Sequence, residues 1–233
     1  MLSLKRRNSF WLCLLLVLSC TQAGPALATG NTDNLKGSGP APVFWSWYHD
    51  DDLRSAPGAV AMLIDRIVVD GESFKHHRRL NKLQTRAGAP ITAVVRLEVK
   101  KLPSALKQEE SVDNLSKSII NLTFGAGRKK VEGLQIDFDA RSDERAFYKQ
   151  LLVRLKKSMP ACTELSMTAL ASWVTGDNWL SSDSWLSGKN GVSEVVPMFF
   201  SMGQGESASL QALKNTSTLE SPVKLKSIGL SID

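Results

Sequence analysis

Histidine and cysteine are scarce in this chain. Its three histidines, His49, His76 and His77, all lie before residue 78, and two are adjacent. A histidine-based triad or a catalytic zinc site has little to work with, and no Ser/His/Asp arrangement is legible. Of the three cysteines, Cys13 and Cys20 lie in or beside an N-terminal apolar run. Cys162 alone is then left for a folded domain, so no disulfide is expected within it. No glycine-rich phosphate loop follows the first strand-like run, so dinucleotide binding lacks its signature. Gly125-Ala126-Gly127 precedes a strand rather than a helix. The N-terminal apolar run is too short to span a bilayer. No metal and no cofactor are expected.

What is present begins with a compartment signal. Lys5, Arg6 and Arg7 precede the apolar run Phe10 to Leu18, and Ala26-Leu27-Ala28 fits the small-x-small rule for signal peptidase. Residues 1–28 read as a signal peptide, which implies export to the periplasm or the extracellular space. Val17-Leu18-Ser19-Cys20 also resembles a bacterial lipobox, in which Cys20 would be lipidated and would give the protein its membrane contact. Both processing routes stay open. The net charge of +6 falls to +3 without the three basic residues of that leader. So mild a charge does not imply nucleic acid, which needs a basic patch with base-reading groups. The dense basic run Lys75 to Arg79 reads as a solvated helix face.

Residues 29–42 are polar and rich in glycine and proline, a tether. Residues 43–233 remain for one domain, expected to be a monomer. A chain of that size buries about 70% of its unfolded surface and needs no staple. Strand-like runs fall at Val43–Trp47, Ile64–Val69, Ile91–Leu97, Gly133–Phe138, Leu165–Leu170, Val195–Phe200 and Ser227–Ile232. Helical patterns fall at Phe74–Ala87, Leu106–Phe124, Glu144–Lys157 and Ala208–Lys214. Alternating strands and helices imply a mostly parallel α/β sheet, as a (β/α)8 barrel or an open doubly wound sheet. Asp65, Arg96, Gln135, Asp137 and Ser166 interrupt strands that a doubly wound sheet would keep apolar. Polar side chains turned into a barrel mouth explain them better, so the expected fold is a (β/α)8, TIM-barrel-like domain. Seven runs leave three readings open: a barrel incomplete at the C-terminus, a hidden eighth strand, or a truncated gene product.

The richest segment is Glu132-Gly133-Leu134-Gln135-Ile136-Asp137-Phe138-Asp139. Residues two apart on a strand share a face. One face is therefore apolar and the other carries Gln135, Asp137 and Asp139. The segment resembles the Asp-Gly-x-Asp-x-Asp-x-Glu motif on the fourth barrel strand of chitinase-like glycoside hydrolases. The glycine and the third acid match, Gln135 replaces the second acid, and Asp139 stands where that family has its Glu. Leu165 to Ala169 is similar to the family's fifth strand. Val195-Val196-Pro197-Met198-Phe199-Phe200-Ser201 is similar to its sixth, where Met198 matches and Phe200 and Ser201 stand for the Tyr and Asp of Met-x-Tyr-Asp. Over Val43 to Asp233 the chain looks closer to a bacterial family of exported, barrel-like domains of unknown function. That likeness rests on Trp45 and Trp47, on Ile136 to Asp139 and on Pro197 to Phe200.

The chitinase-like resemblance implies a substrate-assisted hydrolysis of glycosidic bonds, one of the exceptions among retaining enzymes. Asp139 would be the acid and Asp137 would orient the substrate's amide. The shorter Asp139 sits on the order of 1 Å further back than a Glu, a shift that costs about a hundredfold if nothing compensates. Gln135, Glu98 and Arg96 are candidate substrate ligands, Arg96 equally a neutraliser of the acids. Trp45, Trp47, Trp173 and Phe200 are candidate sugar platforms, since indole faces stack on sugar rings; core packing is the competing role. Trp179 and Trp185 lie in a polar loop, hard to explain as core, and suggest a ligand contact or a lid. Asp50-Asp51-Asp52 would cap a short helix or hold a hard cation. The expected partner is an extracellular or cell-envelope glycan, cleaved by an enzyme or merely bound by an inactive module.

Overall fold

The computed structural model describes residues 42–47, 49–127, 130–175, 179–180, 186, 191–199, 227 and 229. The chain runs β1 (Val43–Ser46), β2 (Asp51–Leu53), β3 (Ala59–Asp70), β4 (Ser73–Arg78), β5 (Leu83–Thr85), β6 (Ile91–Lys101), α1 (Gln108–Phe124), β7 (Gly133–Asp137), α2 (Arg145–Ser158), β8 (Glu164–Leu170), α3 (Ala171–Thr175) and β9 (Glu194–Met198). One sheet has the order β1-β3-β6-β7-β8-β9, with β4 paired to β3. Every pairing in it is parallel except β3 with β4. A parallel bridge joins Met198 to Gly229 beyond β9. β2 and β5 form a separate parallel pair.

The sheet curls into a half-barrel in which strands dominate and helices are few, so the expected (β/α)8 barrel is corrected. The reason lies in the first crossovers. β3 returns to β6 through a hairpin and the small strand β5, not through a helix. The segment Phe74 to Ala87, expected to be helical, holds β4 and β5. Asp70 pairs with Ser73 across a two-residue turn in which Gly71 has φ 62°. That left-handed position favours glycine, which here takes the first central place of the turn. Asp51 and Asp52 likewise lie on a strand rather than before a helix.

The two long helices form where the periodicity places them. Val112, Leu115, Ile119 and Leu122 of α1 recur at three- and four-residue spacing, and Phe147, Tyr148, Leu151, Leu152 and Leu155 of α2 do the same. These stripes are buried against Ile67, Val69, Val95, Leu97, Leu134, Ile136, Leu165 and Met167 of the sheet. Each fully buried aliphatic side chain contributes about 1.5–3 kcal/mol. Glu109 and Glu110 sit in the first turn of α1, and Lys156 and Lys157 in the last turn of α2, each favourable to the helix dipole. The Tyr148 hydroxyl donates to the Ile136 carbonyl at 3.0 Å, which ties α2 to the backbone of β7. Burial holds that phenol well above its usual range. Among the described residues no helix is long and apolar enough to cross a membrane.

Candidate functional site

Because the helices cover one face of the sheet, the alternate residues of each strand collect on the other. Strand register lines them up. Leu63 lies beside Val94, Val94 beside Gln135, and Gln135 beside Ser166. One step further along, Arg66 lies beside Arg96 and Arg96 beside Asp137. A register shift between Leu63 and Asp65 puts Arg66 on this face, an effect typical of a bulge. Glu98 pairs with Val68 in the following row.

Arg96 organises the row. It donates from Nη1 to Asp137 Oδ2 at 2.7 Å and from Nη2 to Asp139 Oδ2 at 3.3 Å. Its Nε lies 3.9 Å from Glu98 Oε1. Glu98 also accepts from Arg66 Nη1, at 3.2 Å to each carboxylate oxygen. Two guanidinium groups and three carboxylates thus form one ion-pair network, hydrogen-bonded at every link except the longer one between Arg96 and Glu98. The members differ in access. Asp137 is only 4% exposed at its side chain, Arg96 33%, Glu98 40% and Asp139 52%. The row is sealed at its root and open at the strand ends.

Asp137 is held from both sides, since Thr168 Oγ1 donates to its Oδ1 at 2.9 Å. Burial nevertheless pushes its carboxyl above the ordinary range, against the pull of Arg96 and Thr168, and the nearby Asp139 adds to the rise. Gln135 is buried beside it, and its Oε1 has no hydrogen-bond partner among the described residues. An amide left so is costly and marks a place where packing alone does not explain the residue type.

The aromatic candidates separate. Trp45 and Trp47 are partly buried, their ring centroids 5.2 Å apart, and pack on Ala61, Leu63 and Val94 at the lower part of the polar face. Trp173 is 2% exposed and belongs to the core on the helix side. It meets Trp179 edge-on at 4.7 Å, and the Arg145 guanidinium lies over both rings at 5.6 and 5.2 Å. Phe200, Ser201 and Trp185 lie outside the described residues. The three acids after β1 each have their own partner. Asp50 accepts from Lys82 N at 2.8 Å, Asp51 from Ser46 Oγ at 2.5 Å, and Asp52 from Arg54, whose hydrogen bond pulls Asp52 down to about 2. Among the described residues no group of three or more His, Cys, Asp or Glu side chains is placed to hold a metal ion.

Arg66 was not among the sequence candidates. Its signal was weak, because its place on this face depends on the irregularity at Ile64 and not on simple alternation. Arg79 was missed as well. Its guanidinium donates to the carbonyls of Ser46, Trp47 and His49 and so fixes the chain leaving β1 just after the tryptophan pair.

No curated protein and no solved structure matches the chain. One family model does, over residues 87–184, a span that includes Arg96, Glu98, Gln135, Asp137 and Asp139. The chain therefore carries, across β6 to α3, a domain described as Domain of unknown function (DUF3142).

Proposed function

We propose that the polar face binds a glycan, in the extracellular space or at the cell envelope. The observation that carries this reading is the pairing, on one face of one sheet, of a half-open row of charged groups with a partly exposed tryptophan pair. Sugars need both. Their hydroxyls take hydrogen bonds from guanidinium groups and give them to carboxylates, while their apolar ring faces stack on indoles. Arg96, Asp139 and Glu98 offer the polar half, and Trp45 and Trp47 the aromatic half. Residues 1–28 would direct export, by signal cleavage or by lipidation at Cys20.

Binding without cleavage is the preferred form. Arg96 bridges both aspartates, so neither stands as an unengaged carboxyl. The hydrolytic reading keeps one observation of its own. Asp139 is half-exposed two residues beyond a buried Asp137, the spacing of acid and orienting group in the chitinase-like motif. A glycan array combined with a reducing-end assay separates the two. Retention on the array without new reducing ends supports the binding module, and new ends that vanish in Asp139→Asn support the enzyme. Trp45→Ala should weaken binding by about tenfold, from the ~1.4 kcal/mol that such an aromatic contact contributes. No retention of the folded protein on any glycan defeats both forms.

A further inference from the structure

A separate constellation lies on the helix side of the sheet. Asp65 on β3 is 0% exposed. Its Oδ2 accepts from His76 Nδ1 at 2.5 Å, across the β3–β4 hairpin. The other ring nitrogen of His76, Nε2, lies 3.1 Å from Ser118 Oγ on α1. The buried carboxylate settles the tautomer: with the proton on Nδ1, Nε2 is left as an acceptor for the serine hydroxyl. Hydroxyl, imidazole and carboxylate thus stand in the order and at the separations of an activated nucleophile, a general base and its orienting group. The bulge before Asp65 turns its carboxylate toward β4. Both reacting side chains reach solvent, since Ser118 is partly buried and the His76 side chain is 31% exposed.

We propose that Ser118, His76 and Asp65 form a nucleophilic site that takes the acyl group of a small carboxylic ester. Ser118 Oγ bonds to the ester carbonyl carbon as its proton passes to His76 Nε2. The tetrahedral adduct collapses, the ester C–O bond breaks, and the proton passes from Nε2 to the leaving alcohol. Water then repeats the sequence on the acyl-serine, releasing the acid and restoring the hydroxyl. Asn114 and Asn121, both exposed, lie four residues before and three after Ser118 on the same helical stripe. Their amide N–H groups are neutral donors on the stripe that carries Ser118, the kind an oxyanion formed there needs. Asp65 acts through His76 and is a positioning residue. The exposure of the serine and the imidazole at the helix surface favours a short acyl group over a long chain.

The test uses the full chain with a fluorophosphonate probe and with p-nitrophenyl acetate. The expected result is one modification mapped to Ser118 by peptide mass spectrometry, absent in Ser118→Ala. Ester turnover should fall at least about a hundredfold in His76→Ala and partly return with added imidazole, a rescue that a purely structural histidine does not show. In Asp65→Asn the downfield proton resonance of His76 Nδ1 should disappear together with the labelling. Ser118→Ala should melt as the wild type does, since it removes one partly exposed hydroxyl. A folded wild type that leaves Ser118 unlabelled, or a His76→Ala variant labelled at the wild-type rate, overturns the proposal. The hydrogen-bonded trio is then a tie between hairpin and helix and nothing more.

Discussion

Replacing Arg96 by methionine keeps the aliphatic filling of β6 and deletes the guanidinium from which both Asp137 and Asp139 accept. Removing one partner of a buried ion pair costs about 3–5 kcal/mol, because the other charge is left without compensation. Two features lower that figure here. A third of the Arg96 side chain sees solvent, and Asp137 keeps the Thr168 hydroxyl at 2.9 Å. We expect a loss of about 2–3 kcal/mol near neutral pH, seen as a drop of roughly 4–12 °C in the melting midpoint for a domain of this size. Burial already raises the Asp137 carboxyl, and Arg96 is the strongest influence holding it down. Without Arg96 it rises further, so in mild acid a proton replaces the missing countercharge. The destabilisation should therefore shrink from neutral to acidic pH, and an Arg96→Met/Asp137→Leu double variant should recover most of it. Urea unfolding at neutral and at acidic pH measures this. An Arg96→Met loss of equal size at both, or no loss at all, refutes the picture of Asp137 as a sealed charge.

Three further outcomes follow from the same structure. Asp137 has a folded-state value above its unfolded one, so its contribution is full below roughly pH 4 and declines as the pH rises through the folded value. Asp137→Asn should remove that descending component from a stability-against-pH curve, and a curve of unchanged slope would falsify the assignment. Leu115→Ala, at a fully buried position of α1, should cost about 2–5 kcal/mol in a denaturant titration, and a cost below about 1 kcal/mol would mean that α1 is not seated on the core. Gly71→Ala should cost about 1–2 kcal/mol although the space around it is open, because φ 62° disfavours any Cβ. A neutral result there would mean the hairpin turn relaxes without penalty.

The strands β6, β7 and β8 and the helices α1 and α2 were legible because their apolar residues repeat at two or at 3.6. The polar face was legible for the same reason, since Gln135, Asp137 and Asp139 alternate with buried Leu134, Ile136 and Phe138. The hairpin was not. Lys75, His76, His77 and Arg78 carry no apolar period, and β4 exists because β3 supplies its hydrogen-bond partners, a tertiary effect. The error in fold class follows in part from that segment, because a helix there would have made the β3-to-β6 crossover the (β/α) kind. The tryptophans misled in part. Composition cannot say which indole faces solvent, and Trp173 lies in the core while Trp45 and Trp47 do not. The Ser118–His76–Asp65 trio draws on α1, β4 and β3, with His76 11 residues from Asp65 and 42 from Ser118. No local pattern joins residues so placed, and the misread hairpin hid the one contact that would have suggested it.

The hairpin has a consequence for how copies of this protein meet one another. Among the described residues β4 pairs with β3 and with no second strand, so one row of its backbone amides and carbonyls is left without a sheet neighbour. An edge of this kind is a template for intermolecular strand addition. This one is short and studded with Lys75, His77 and Arg78, so an identical strand laid alongside it would bring like charges together. The basic run expected on a solvated helix face lies instead on a sheet edge, where charge of this kind disfavours such pairing.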